Sequence, residues 1–316
     1  MHSFTIGKND AGQRLDKFLS KALPALPKSM LYKAIRTKKI KRNGKRCTID
    51  ERLEENDLLT LYIKDDFFPA PAAAEPPDFF NASLNLDVIY EDPHILLVYK
   101  PPGLLCHSDG RHFGDTLVDR VRLYLYHRKA YLPAEENSFA PALCNRLDRN
   151  TEGLVLAAKD AASLRFFNEK LKTREVEKYY RCLVWGMPQP PQGLLTHYLI
   201  KDGDVNTVRV YNQEKKNSKQ ILTEYRRIPN PAIEKSGRCL LEIRLLTGRS
   251  HQIRAQLAHI GHPLCGDSKY GGGQGGYCLC AYQLVFSFSD PPDMFAYLNH
   301  QRFTLPLPSN LTDFTY

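Results

Sequence analysis

The stretch Asn145-Arg146-Leu147-Asp148-Arg149-Asn150-Thr151-Glu152-Gly153-Leu154-Val155-Leu156 sets a carboxylate between two arginines, just ahead of an apolar run. Flanking cations favour a charged carboxylate. An aspartate of that kind at a strand mouth can act as nucleophile or general base. The same residue types also suit a structural Arg–Asp pair, and the spacing alone leaves both readings open. A second stretch, Lys178-Tyr179-Tyr180-Arg181-Cys182-Leu183-Val184-Trp185-Gly186, is an aromatic strand pattern; taken alone, its tyrosines read as core packing. A third feature is charge. From Lys28 to Arg46 there are nine basic residues and no acidic one. Clustering of that density is the footprint of a phosphate backbone partner, with a solvated surface as the alternative.

Other chemistries find no support. The eight cysteines are scattered and form no C-x-x-C pair, so no metal site is expected. Neither a P-loop nor a dinucleotide glycine fingerprint is present, and no cofactor is expected. Cys278-Leu279-Cys280 alternates as a strand would, which predicts buried free thiols on one face. The first eight residues lack an apolar h-region, so no signal peptide is expected, and reduced thiols fit a cytoplasmic setting.

The elements that must position these residues fall into two units. Residues 1–66 read as a small domain. Leu15, Phe18, Leu19 and Ala22 follow helical spacing, ended by Pro24 and Pro27. Ser29 is placed to cap a second helix whose apolar side is Met30, Leu31, Ala34 and Ile35. Asn43-Gly44 predicts a tight hairpin, and Leu59, Leu61 and Ile63 a closing strand. Residues 67–84 read as a proline-rich linker, and 85–316 as the larger domain. There the pattern predicts a hairpin over Leu86–Tyr99 and helices over Thr116–Tyr126, Asp160–Lys172 and Ser250–His259. Strands are expected over Leu154–Ala158, Tyr179–Trp185, Ile221–Arg226 and Leu240–Leu245. Gly271-Gly272-Gly273 with Gly275-Gly276 reads as a flexible loop. Strands grouped around a few helices, without strict alternation, predict an α+β fold with a mixed, largely antiparallel sheet.

The 316 residues are 42% hydrophobic and 25% charged, ordinary values for a globular chain. No apolar run approaches the roughly 20 residues of a membrane span. The net charge of +9 suggests a polyanionic partner.

Arg146-Leu147-Asp148-x-x-Thr151-x-Gly153-Leu154 resembles the signature of RluA-type RNA pseudouridine synthases, with Asn145 and Glu152 as departures where that family usually has His and often Ser. Lys178-Tyr179-Tyr180-Arg181-Cys182-Leu183-Val184-Trp185-Gly186 is similar to the family's Lys-x-Tyr-x-Ala-x-Val-x-Gly strand. Thr247-Gly248-Arg249-Ser250-His251-Gln252-Ile253-Arg254 and Gly266-Asp267-Ser268-Lys269-Tyr270-Gly271 are similar to its later motifs. Tyr90 to Gly103 looks like its opening hairpin, and Gly12 to Leu19 with the basic cluster resembles an S4 RNA-binding domain.

The resemblance implies isomerisation of uridine: the N1–C1′ bond breaks, the base turns, and it rejoins through C5. It makes Asp148 the catalytic carboxylate, Tyr180 the active-site tyrosine and Arg249 the arginine paired with Asp148. Arg146 would fill the gap left by a flipped base. Lys33, Arg36, Lys38, Lys39, Lys41 and Arg42 would bind RNA. His251 is read as a loop-holding hydrogen-bond partner, Asp267 and Tyr270 as turn formers, and Asp16 as a solvated helix residue. Large-subunit ribosomal RNA is the preferred substrate, transfer RNA an alternative, and the expected enzyme is a monomer needing no membrane. A non-catalytic RNA-binding assembly factor and an RNA N-glycosylase are the competing readings.

Overall fold

The computed structural model describes residues 1–68, 77–110, 114–202 and 207–306. At the N-terminus β1 (His2–Thr5), α1 (Leu15–Ala22), α2 (Lys28–Arg36), β2 (Ile40–Arg42), β3 (Lys45–Arg46) and β4 (Leu58–Leu61) build one small domain. Its sheet is antiparallel in the order β1-β4-β2-β3. Leu15, Phe18, Leu19, Leu31 and Ile35 bury against Leu59 and Leu61. Asn43 and Gly44 take positive φ (49° and 75°), the backbone that the β2–β3 hairpin requires. The Asn43 side chain also donates to Asp57 and accepts from the Leu58 N–H, tying the turn to β4.

Two local expectations are corrected here. Pro27 precedes the first residue of α2, and Ser29 lies inside the helix without capping it. Proline at that point supplies fixed φ and sets the entry angle instead. Asp16 is buried and held by the Arg14 guanidinium at 3.0 and 3.2 Å, so it is not solvated.

The larger domain adds β5 (Asp87–Glu91), β6 (Ile95–Lys100), α3 (Leu117–His127), β7 (Ala142–Leu143), β8 (Glu152–Ala158), α4 (Ala161–Lys172), β9 (Val176–Trp185), β10 (Gln192–Asp202), β11 (Thr207–Tyr211) and β12 (Lys219–Ile228). It continues through α5 (Pro231–Glu234), β13 (Arg238–Leu245), α6 (Gln252–His259), β14 (Leu279–Phe286), α7 (Asp293–Ala296) and β15 (Arg302–Thr304). Eleven strands form one sheet, with the path β11-β10-β12-β13-β9-β14-β8-β6-β5; β15 joins β14 and β7 joins β8. Every pairing is antiparallel except β14 with β8. That parallel step places β14 between β8 and β9. Hydrophobic clusters cover both faces, one containing Val155, Tyr180 and Ile243, the other Leu154, Phe167 and Phe286.

Helix ends follow their side chains. Thr116 and Asp119 exchange hydrogen bonds at the start of α3, and Asp160 accepts from the Ser163 N–H at the start of α4. The glycine run at 271–276 is not loose. Gly272 accepts from the Gly266 N–H and from Trp185 Nε1, and a Cβ on it would lie 1.7 Å from the Leu264 carbonyl. Gly272 is there for close backbone approach, whereas Gly271, Gly273, Gly275 and Gly276 all take positive φ (85° to 105°) with open space at the Cβ position. Of the expected linker, 69–76 lies outside the described residues. From Pro77 the chain already packs: Phe79 is buried against Tyr126 and Tyr131.

The two domains touch through polar groups. Asp10 accepts from Asn137 Nδ2 and Ser138 Oγ (2.9 and 2.6 Å), and Asn9 bonds Glu136 and the Ala161 N–H. No helix among the described residues is long and apolar enough to cross a membrane.

Candidate active site

Asp148 stands in the turn between β7 and β8, closed by the Thr151 N–H donating to the Asp148 carbonyl at 3.1 Å. Several groups fix that turn. Asn145 accepts from the Leu156 N–H and donates to the Leu154 carbonyl, pinning the incoming chain onto β8. Cys106 Sγ accepts from the Leu147 N–H. Lys100 is fully buried and donates to the carbonyls of Pro101, Leu104 and Arg149, each at 2.8 Å. Burial pulls its ammonium down to about 8, against the opposing charges of Cys106, Asp148 and Glu152. Gly153 then passes so close to β14 that a Cβ would meet the Ala281 carbonyl at 2.3 Å, with φ +123°. The glycine of the motif's Thr-x-Gly tail is therefore a steric requirement of the parallel β8–β14 step. Glu152, where the family pattern differs, is buried and satisfied by the Tyr99 hydroxyl.

The Asp148 side chain, 22% exposed, faces a cavity of about 300 Å³. Tyr180, Lys178, Arg146, Arg249, His251 and Arg254 line it too. The guanidinium nearest the carboxylate is not that of Arg249. It is Arg254, with Nη1 3.6 Å from Asp148 Oδ2. Arg254 lies on the first turn of α6, its side chain only 8% exposed. Asp267, 1% exposed, grips it through two hydrogen bonds of 2.7 and 2.8 Å. Tyr277 and Tyr270 flank its plane, with ring centroids 4.3 and 5.2 Å away. Burial alone would lower the arginine's basicity, but Asp267, with Tyr277 and Asp148, raises it. Arg249 precedes the helix and stays exposed at the cavity rim. Asp267 is thus the anchor of the buried cation and more than a turn former. His251 does hold its loop: Nδ1 pairs with the Tyr270 hydroxyl at 2.8 Å, in a left-handed backbone (φ 55°).

Strand alternation separates the two tyrosines of β9. Tyr180 is buried against the Asp148 side of the sheet, and burial, then the Asp148 charge, pushes its hydroxyl well above the ordinary phenol range. Tyr179 packs on the other face and donates to Glu177. Lys178 also lines the cavity. Burial lowers its ammonium, and no carboxylate is within ion-pair distance among the described residues. The one sequence signal for it is its place as the opening lysine of the Lys-x-Tyr-x-Ala-x-Val-x-Gly resemblance, two residues before Tyr180 and so on the same face of β9.

On the N-terminal domain, Lys33, Arg36, Lys38 and Lys39 are exposed, and Lys41 lies over the Tyr62 ring at 5.5 Å. Arg42 does not join them. Its guanidinium, 15% exposed, turns inward to Asp57, Glu51 and Glu54 at 2.6, 2.8 and 3.4 Å. Arg42 is taken by internal carboxylates and holds the hairpin to the 51–57 loop.

A family model described as RNA pseudouridylate synthase matches residues 94–259, and an S4 domain model matches residues 13–59. An RNA pseudouridine synthase of Mycoplasma capricolum is 32% identical over 95% of this chain and 96% of its own length. The ribosomal large subunit pseudouridine synthase C of Vibrio cholerae is 32% identical over 84% of this chain and 79% of its own. Among solved structures, human RNA Pseudouridylate Synthase Domain Containing 4 shares the fold (TM-score 0.55, 19% identity, 72% of this chain and 90% of that one). The chain belongs to the RNA pseudouridine synthases, isomerases that convert uridine to pseudouridine, here with an N-terminal S4 domain.

Proposed function

We propose that this synthase acts on uridines of large-subunit ribosomal RNA, with Asp148 as the catalytic carboxylate. The observation that carries the reading is the meeting of Asp148, Tyr180 and Arg254 at one cavity. The target uridine leaves its stack and enters. Asp148 acts at the sugar, on C1′ or on the C2′ proton, as the glycosidic bond breaks. The base turns against Tyr180, whose hydroxyl assists loss of the C5 proton after C5 has joined C1′. Arg254, immobilised by Asp267, orients Asp148 and supplies positive potential without needing to reorganise. Lys178 attracts the anionic nucleotide, and Arg146 occupies the space the base vacates. Support for the ribosomal substrate comes from relatives bearing the name ribosomal large subunit pseudouridine synthase C, at 30–33% identity.

Incubation with unmodified ribosomal and transfer RNA transcripts, followed by mapping of pseudouridine, tests this. Product confined to large-subunit RNA is expected, with none from Asp148→Asn and RNA affinity within a few-fold. Product only in transfer RNA overturns the substrate, near-normal turnover by Asp148→Asn overturns the residue, and release of free uracil overturns the reaction.

A further inference from the structure

Between α2 and residues 46–50 the N-terminal domain carries an open hollow of about 520 Å³, within the usual range of ligand sites. Its floor is apolar, including the buried Ile35. Tyr32 forms one wall. It follows the buried Leu31 on α2 yet is left 41% exposed, with no hydrogen bond or ring partner among the described residues. Lys33, Arg36 and Arg46 stand at the rim, and none has a carboxylate within ion-pair distance among the described residues. Asp50 is the one carboxylate on the lining.

A solvated surface accounts for the cations but not for a hollow with an apolar floor and an uncovered aromatic wall. Tyr62, although also exposed, lies outside the hollow and already has the Lys41 ammonium 5.5 Å from its ring centre. An aromatic face beside unpaired cations is the arrangement that stacks a base while holding its backbone. Bases within a duplex are stacked on both faces and cannot enter, whereas bases in loops and bulges can. An ionised aspartate only accepts hydrogen bonds. It therefore favours a base with adjacent N–H donors on its pairing edge, and guanine presents the most.

We infer that this hollow is a second RNA site that takes one unpaired nucleobase, guanine in preference, stacked on Tyr32 with its flanking phosphates on Lys33, Arg36 and Arg46. The inference rests on the RNA-binding role of the S4 domain and adds to it a site that distinguishes looped from duplex RNA away from the catalytic cavity.

The test uses the full chain and three hairpin RNAs of one length: fully paired, with a single bulged guanine, and with a single bulged uridine. Affinities are measured over a series of salt concentrations. The guanine bulge is expected to bind about 5- to 150-fold tighter than the paired hairpin, the range of one aromatic–base stack. Tyr32→Phe keeps that preference. Tyr32→Ala removes it while leaving the paired hairpin's affinity and salt slope in place. Asp50→Asn narrows the margin of guanine over uridine. Thermal unfolding confirms that each variant is folded; should the alanine variant unfold, Tyr32→Leu, which restores apolar bulk without the π-face, decides. Equal binding of paired and guanine-bulged hairpins, or an equal loss for both in Tyr32→Ala, overturns the site. Equal binding of the guanine- and uridine-bulged hairpins by the wild-type chain overturns the guanine preference, and an Asp50→Asn protein whose margin is undiminished overturns the part given to Asp50. Absence of pseudouridine in ribosomal RNA alongside an intact guanine preference would instead strike the proposed function and leave the hollow standing.

Discussion

The catalytic cavity and the basic face of the N-terminal domain both depend on cations, and they handle them in opposite ways. At the cavity the decisive guanidinium is buried and locked: Arg254 is gripped by Asp267 and flanked by two tyrosines, so one edge is spent on the protein and the other faces Asp148. On the basic face the useful cations are those that nothing holds. There the one arginine that is gripped, Arg42, has all its partners inside the domain. On the proposed mechanism, an immobilised cation contributes only when it leaves charge pointing at the Asp148 carboxylate. Where the partner is a long polyanion met in many registers, mobile surface cations suffice.

The sharpest way to break this contrast is to exchange Arg254 and Arg249 as targets. Arg254→Gln leaves Asp267 buried without its counter-charge, and losing one member of such a pair costs about 3–5 kcal/mol. Arg254→Lys keeps the charge but not the two-pronged grip. The expected result is a folded protein whose single-turnover rate falls by about 10²–10³, as for loss of one fixed electrostatic partner. Arg249→Gln, at the exposed rim, should alter KM more than kcat and leave the melting temperature unchanged. The reverse order of sensitivity would restore Arg249 as the partner of Asp148.

The two tyrosines of β9 give a second comparison within one strand. Tyr180→Phe keeps the ring and loses the hydroxyl. A positioned proton-transfer group is worth about 10²–10⁴ in rate, so the chemical step should slow by that range with RNA affinity preserved. Tyr179→Phe loses only the bond to Glu177 on the opposite face, a stability change of about 1 kcal/mol and no change in turnover. Single-turnover kinetics and thermal melts on both variants check it.

Much of this was legible in the chain. Apolar spacing marked α1, α3, α4 and α6, and the order of the motifs marked the cavity. What escaped detection has physical reasons. Strands β10 and β11 carry many polar residues toward solvent, so their alternation is diluted, and β1 is too short to show a period. Which arginine of Thr247-Gly248-Arg249-Ser250-His251-Gln252-Ile253-Arg254 meets Asp148 depends on where α6 begins. Only the left-handed His251 and the start of the helix at Gln252 turn Arg254 inward and leave Arg249 outside. Arg42 was misread for a related reason: its partners, Glu51, Glu54 and Asp57, follow the basic run and become neighbours only when β4 folds back on β2. In the glycine run only Gly272 is a point of closest approach; its neighbours supply positive φ for the turns around it.

Arg42→Ala tests the inward reading and should show in stability before it shows in binding. Removing the guanidinium leaves the buried Asp57 with fewer partners, at a cost of about 3–5 kcal/mol to the N-terminal domain. Burial opposes the charge on Asp57, yet the Glu54 N–H, Arg42 and Asn43 together hold its carboxyl below the usual range. A lowered carboxyl stabilises the fold above the unfolded value of about 3.9, and that contribution is lost as pH falls through the folded value. The wild-type domain should therefore weaken below about pH 4. In Arg42→Ala that acid dependence should shrink, because less stabilisation remains to be lost. Hydrogen exchange of the β2 and β4 amides across acid pH measures both.

The smallest expected effect lies on the mobile side of the comparison. Lys38 and Lys39 close α2 by a Schellman turn, the Lys39 N–H reaching the Ala34 carbonyl and the Lys38 N–H that of Ile35. Lys38 holds a left-handed backbone (φ 64°) that costs a non-glycine residue about 1–2 kcal/mol. Lys38→Gly thus removes a charge and relaxes the turn together, so any loss of RNA affinity cannot be laid to unfolding. Combined with Lys39→Gln, it should flatten the logarithmic salt slope by up to about 1.4 on single-stranded RNA, at about 0.7 per released contact. The weakening should be alike for unrelated sequences, because phosphate contacts position without specifying. Turnover at saturating RNA should persist, because neither lysine lines the cavity at Asp148. Affinity titrations of both proteins across salt decide it. An unchanged slope would mean that these exposed lysines do not touch the backbone, and that being free of partners is not enough to make a cation part of an RNA-binding face.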